Sequence, residues 1–306
     1  MNELDAVRLH FSPESLVALD VILAFVLFGV ALDMRVTDFK GILTSPRGTL
    51  IGLLAHSVLL PAVAFALTMI LRPTPSIALG MILVASCPSG NISNFLVNYG
   101  HGNTALSVTI AAFSMLGSIV FTPFNLSFWG SLNPETRQIL HQVSLSPWEV
   151  VVAVIFLLGI PAALGMGVAH RFPRFAERAH KPFKILSLVV FGLFIVGALA
   201  ANWSYFIQYV GRVVLVVFLM NGLGLVVGYF SGMLAGLPER DRRATSIEVG
   251  IQNSGFGLVL VFNFFDGMGG MAIVAAWWGI WHIVSGLILA SWWRRHPPMG
   301  SAPAPA

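Results

Sequence analysis

Two short polar runs interrupt an otherwise apolar chain, and both are rich in oxygen. The first reads Ser86-Cys87-Pro88-Ser89-Gly90-Asn91-Ile92-Ser93-Asn94. The second reads Thr245-Ser246-Ile247-Glu248-Val249-Gly250-Ile251-Gln252-Asn253-Ser254-Gly255. A charged side chain at membrane depth costs ~3 kcal/mol or more, so Glu248 is expected to face the protein interior or an aqueous cavity on a transport pathway. Glycines beside hydrogen-bonding side chains let a helix unwind, which offers backbone carbonyls and helix ends to a ligand. One carboxylate with carboxamide and hydroxyl oxygens is the chemistry of an ion and substrate site. The competing reading is polar contact between packed helices. It suits a single asparagine better than Glu248, Gln252, Asn253 and Ser254 within seven residues.

The elements that must position these groups follow from composition. The chain has 306 residues, 57% hydrophobic and 10% charged, with a mean hydropathy of +0.84. Soluble domains carry roughly 25% charged residues, so the composition implies an all-α polytopic membrane protein whose surroundings are the lipid bilayer. The formal net charge of +4 marks orientation and does not imply a nucleic-acid partner. One cysteine, Cys87, excludes an intrachain disulfide or a multi-cysteine metal site, and it reads as a small apolar filler. Residues 1–15 lack the basic stretch of a signal peptide, so the first apolar run is expected to stay as a helix.

A spanning helix needs ~20 mostly apolar residues. Nine such runs are expected near 16–33, 48–71, 76–98, 103–130, 147–168, 183–201, 211–236, 243–265 and 268–293. Ser12-Pro13-Glu14-Ser15 is a plausible start to the first, with proline in the first turn. Arg35, Lys40, Arg47, Arg171, Arg174, Arg178, Lys181, Lys184, Arg240, Arg242, Arg243, Arg294 and Arg295 are assigned to loops or ends on one side. The positive-inside rule then sets the N-terminus outside and the tail, 294–306, in the cytoplasm. The polar breaks fall on the third and eighth helices. Paired broken helices point to an inverted-repeat transporter, here with halves of four and five helices, the first lacking its leading helix. Gly224, Gly228, Gly232 and Gly236 at four-residue spacing are read as a stripe for close helix packing.

With these runs in place, the chain resembles the bile acid:sodium symporter family. The resemblance rests on 87–94, on Ala105-Leu106-Ser107-Val108, on 246–255, and on Trp281-His282 with Ser285-Gly286. It extends in order over about 16–295. It implies two crossing discontinuous helices and two sodium sites behind the crossing, with an organic-anion substrate at the boundary between a core and a panel domain. The core would comprise 48–130, broken near 87–94, and 211–293, broken near 248–255. The panel would comprise 16–33 and 147–201.

Carried over by position, the resemblance assigns one sodium to Ser93, Asn94, Ser107 and Glu248. A further threonine of the family falls on Ala111, and Thr109 points off that face. The second sodium would take Glu248, the backbone carbonyls of Val249 and Ile251, the Gln252 side chain, and a glutamine that is replaced here by His56. Sodium prefers hard oxygen ligands, and an imidazole near Glu248 offers a proton carrier instead. One or two sodium ions are therefore expected. Asn253 and His282 match positions facing the substrate, and Asn91 replaces a threonine at the tip of the first broken helix. An asparagine usual beside that histidine is Ile283. His282 is also open to an aromatic-belt reading beside Trp277, Trp278 and Trp281. Half-helix N-termini attract carboxylates, so a bile-acid-like anion or a small carboxylate such as pantoate is the expected cargo, moved by sodium-coupled symport across a bacterial inner membrane.

The alternative is a proton-coupled or sodium-independent anion or metalloid carrier of the related arsenite-permease type. An intramembrane enzyme is the remote one. Glu248 is the lone acid at depth, and the chain has no HExxH, paired-aspartate or Gly-x-Ser-x-Gly motif. No catalytic residue is assigned.

Overall fold

The computed structural model describes residues 13–32, 41–90, 92–143, 147–201 and 203–298. Its main helices are α1 (Pro13–Ala31), α2 (Pro46–Leu71), α3 (Pro75–Ser86), α4 (Ser93–Tyr99), α5 (Thr104–Leu132) and α6 (Pro134–Gln142). They continue with α7 (Trp148–Arg171), α8 (Pro173–Ala201), α9 (Trp203–Leu234), α10 (Glu239–Gly250), α11 (Ser254–Phe264) and α12 (Gly269–Arg295). Among the described residues α2, α5, α7, α9 and α12 each carry a stretch long and apolar enough to cross a membrane. The protein is an all-α polytopic membrane protein.

Local chemistry sets where these helices begin. Pro13, Pro46, Pro75, Pro134 and Pro173 stand at first positions, where the missing N–H has no intrahelical partner to lose. Asn103 and Asn253 cap α5 and α11, accepting from the N–H groups of Leu106 at 3.2 Å and Phe256 at 3.1 Å.

Proline inside the apolar runs acts differently. Pro61 has no N–H to offer the carbonyl of Ser57, and α2 widens into a π-helical turn over Ala55–Leu59. Asn125 of α5 donates to the freed Ser57 carbonyl at 2.8 Å. Pro161 follows a second such turn, Ile155–Gly159, in α7. Inserted π turns often mark functional positions, and the first one carries His56.

Several helices run past their apolar stretches. The sixth was expected to begin at 183, yet α8 starts at Pro173 and takes in Arg174, Arg178, Lys181 and Lys184. Likewise α9 starts at Trp203, and α10 starts at Glu239 and includes Arg240, Arg242 and Arg243. Arg294 and Arg295 close α12. Hydropathy marks the lipid-buried part of a helix, whereas backbone hydrogen bonding continues into the polar flanks. Arg243 is not a loop cation at all. It is buried, bonds the carbonyls of Gly100, Trp293 and His296, pairs with Glu239 and lies over the Trp293 ring. It thereby ties the ends of α4, α10 and α12 together.

The glycine stripe on α9 does bring helices close. A Cβ on Gly228 would lie 2.5 Å from the carbonyl oxygen of Thr245, and one on Gly232 3.0 Å from the Thr245 hydroxyl. Gly236 is an exception to the expected stripe: it lies beyond the helix with φ +69° and serves the turn instead. Elsewhere α1 packs mainly on α7 and α8, while α12 packs on α3, α9 and α11.

Candidate functional site

The two polar runs end their helices for different reasons, and then meet. Pro88 cannot continue α3, and Cys87 turns extended (φ −71°, ψ 158°). The Ser86 carbonyl left without a partner accepts from the Thr122 hydroxyl at 2.6 Å. In the second run the helix stops at Gly250 and Ile251 turns extended. Asn253 then caps the next helix. The two extended pieces pair as an antiparallel bridge between Ser89 and Gln252. Gly90 N donates to Ile251 O at 2.7 Å, and Asn253 N to Pro88 O at 2.8 Å. A Cβ on Gly90 would sit 3.0 Å from the Gln252 carbonyl oxygen, so glycine permits this approach.

Glu248 lies at this junction with no solvent exposure. One carboxylate oxygen accepts from the Ser89 hydroxyl and the other from Ser107. The Ser93 hydroxyl also reaches the carboxylate. Ser107 Oγ is 2.7 Å from the Asn94 amide oxygen as well. Ser89 Oγ is 3.4 Å from both Ser93 Oγ and the Ile251 carbonyl. Each hydroxyl has one hydrogen to give. The cluster therefore gathers more oxygen lone pairs than it has protons to share among them. Among the described residues no lysine or arginine pairs with Glu248. An uncompensated buried carboxylate costs several kcal/mol, so this arrangement suits a small hard cation bound through oxygen.

Ser93, Asn94, Ser107 and Glu248, the set that the resemblance implied, thus lie together. Ala111 contributes no oxygen. Thr109 turns back to the Ala105 carbonyl. Ser89 was not among the expected ligands, although it stood in the polar run; only the pairing of the two breaks puts it on Glu248. Ser114, one helical turn past Ala111, accepts from Ser89 N at 3.2 Å and fixes that strand piece.

The other expected ligands lie on the opposite side of the break. Gln252 Nε2 donates to the Val249 carbonyl at 2.9 Å, leaving its Oε1 buried without a partner. His56 Nδ1 is 3.1 Å from the main-chain oxygen of Glu248 and 3.3 Å from Gln252 Nε2. The imidazole was expected near Glu248, where a histidine–carboxylate pair could pass protons. It meets the backbone carbonyl instead, because the serines already occupy the carboxylate. Asn221, a residue the sequence reading passed over, donates to the Gly250 carbonyl at 2.8 Å.

Of the residues expected to face substrate, His282 is buried and its ring contacts the backbone of Gln252, next to Asn253. It thus lies beside the second break. Asn253 is also buried, its side-chain oxygen engaged as the cap of α11. Asn91 lies outside the described residues. A small cavity lined by His56, Ser57, Ser86, Cys87, Ser114, Ser118 and Phe121 adjoins the first break. Cys87 is buried there with its thiol on the Leu83 carbonyl, in keeping with a packing role.

Comparison with known proteins decides the family. The model of the sodium bile acid symporter family matches residues 20–209, more than half of the chain. The chain belongs to that family. A sodium-dependent transporter of uncharacterised role from Bacillus subtilis (strain 168) is 29% identical over 275 residues, covering 90% of this chain and 82% of that protein. A probable chloroplastic sodium/metabolite cotransporter of Arabidopsis thaliana is 26% identical, covering 90% of this chain and 66% of its own length. The ileal sodium/bile acid cotransporter of Oryctolagus cuniculus is 26% identical, covering 77% and 66% respectively. Membership makes this protein a sodium-coupled membrane transporter and not an enzyme.

Proposed function

We propose that the protein is a secondary active symporter that carries an organic anion with sodium by alternating access. The observation that carries this reading is the buried Glu248 carboxylate, ringed by Ser89, Ser93 and Ser107 with Asn94 alongside and without an internal cation. Sodium supplies the missing charge. The Glu248 segment is also where the two breaks join, so the ion ties α3–α4 to α10–α11 and sets the geometry of both tips. Asn253 and His282 then offer polar contacts to substrate at the second break, and Asn91 is assigned to substrate by the resemblance alone. The N-terminal end of α11 favours a negatively charged group.

In this reading α2 to α5 and α9 to α12 form the core, and α1, α7 and α8 the panel against which it moves. The mutual packing of α1, α7 and α8 supports that division. The distribution of basic residues supports an orientation with the N-terminus outside and the C-terminus in the cytoplasm, in a bacterial inner membrane. The cargo is a bile-acid-like anion or a small carboxylate such as pantoate. The relatives' names, one for a bile acid and one for a metabolite, support both ends of that range.

The test uses purified protein in liposomes, with labelled taurocholate and pantoate outside. Uptake under an inward sodium gradient, lost in potassium and in Glu248→Ala, is the expected result. Uptake equal in potassium and driven by a pH gradient would replace this reading with proton coupling.

A further inference from the structure

The half-helix α10 ends inside the protein, and a helix end leaves its last carbonyls without intrahelical partners. Such carbonyls carry partial negative charge and attract cations. Here each already has a nitrogen against it. Glu248 O faces His56 Nδ1, Val249 O receives Gln252 Nε2, Gly250 O receives Asn221 Nδ2, and Ile251 O receives Gly90 N. The Glu248 carbonyl calls for the hydrogen on Nδ1, whereas the Gln252 NH2 at 3.3 Å from the same atom calls for it on Nε2, so the ring can satisfy one of these contacts at a time. Each carbonyl has a nitrogen against it, and Ile251 O also has the Ser89 hydroxyl at 3.4 Å.

N–H groups and hydroxyls differ in one respect that matters for cations. A serine hydroxyl can rotate its hydrogen away and present a lone pair, whereas an amide or ring N–H at a donor position has no lone pair to present. The carboxylate side of Glu248 is built from three hydroxyls and is convertible to a cation cage. On the carbonyl side the Gln252 and Asn221 carboxamides each keep a buried oxygen without a partner, and the His56 ring is the one side chain there with no oxygen to offer. His56 stands at the centre of that side. Its ring lies against Glu248 O and Gln252, and also against the backbone of Cys87 at the first break. The Gln252 amide turns its NH2 toward Val249 O and leaves Oε1 unpaired.

We infer that the junction accepts one cation, on the hydroxyl side of Glu248, and that His56 is the residue that closes the carbonyl side to a second. This rests on the proposed sodium site at Glu248. It makes the transport cycle carry one sodium per turn from this region, with His56 and Asn221 acting as built-in caps for the broken helix. His56 is a positioning residue in this scheme: it holds the carbonyls of the break, so that α10 stays terminated whether or not sodium is present.

The test counts sodium on the full-length protein in detergent, by equilibrium binding of radioactive sodium against potassium, without any organic substrate. The wild type is expected to saturate at one ion per chain with a Hill coefficient of about one. His56→Gln replaces a ring nitrogen with an amide that offers an oxygen, and is expected to raise saturation to two ions. His56→Ala, which removes the donor outright, serves as the second variant, and melting curves confirm that each is folded. Two ions on the wild type would overturn this inference and leave the symporter reading standing. A His56→Gln protein that is folded and still binds one ion would remove His56 from the role. Absence of sodium-specific binding in the wild type would sink the symporter reading and this inference together.

Discussion

The two breaks make a useful contrast. The first is enforced by covalent structure: Pro88 cannot donate, and hydroxyls from α5 tidy the consequences, Thr122 on Ser86 O and Ser114 on Ser89 N. The second has no proline. It is held open by side chains and backbone from elsewhere, Asn221, His56, Gln252 and Gly90, each placing a nitrogen against a carbonyl of 248–251. One break therefore contributes adaptable oxygens and the other contributes the charge on a rigidly capped stem. The difference shows how a single carboxylate can serve two ends: its side chain faces a convertible cage while its own backbone is locked.

Three substitutions sharpen that contrast. Glu248→Gln keeps the shape and removes the charge, so sodium-driven uptake should fall by about two orders of magnitude or more. The melting temperature should also lose its dependence on sodium, because a ligand that no longer binds no longer stabilises. Unchanged sodium stabilisation in this variant would place the ion elsewhere. Ser107→Ala removes one hydroxyl from the cage. A bond to a charged group is worth about 1.5–3 kcal/mol, so apparent sodium affinity should weaken by roughly tenfold or more, with a small change in stability. Asn221→Ala tests the other side. It uncovers the Gly250 carbonyl and should lower stability by about 1–3 kcal/mol, read as a fall in melting temperature, while sodium affinity changes much less than in Ser107→Ala. If the two variants exchange these signatures, the division between convertible and locked sides is wrong.

Much of the site was legible because its members lie on two short polar runs in an apolar background. Ser93 and Asn94 are adjacent in one run and Glu248 and Gln252 lie in the other, while Ser107, in the first turn of the next helix, was reached through the family resemblance. The stripe Gly224, Gly228 and Gly232 was equally readable, since four-residue spacing maps onto one helix face. Residues whose role depends on a distant carbonyl were not. Nothing near Asn125 in sequence reveals that Pro61 has freed the Ser57 carbonyl, or that Thr122 will meet the one freed at Ser86. Arg243 looked like a loop cation because charge is visible in sequence, while the carbonyls that receive it, 100, 293 and 296, are not.

The sequence by itself determined the membrane class, the positions of both breaks and the presence of one carboxylate at depth, since each follows from local residue type and hydropathy. Only the tertiary structure decided which face of Glu248 meets hydroxyls and which meets nitrogens. That choice is made where separate helices pack, because backbone groups freed at a break must find partners and those partners lie far away along the chain.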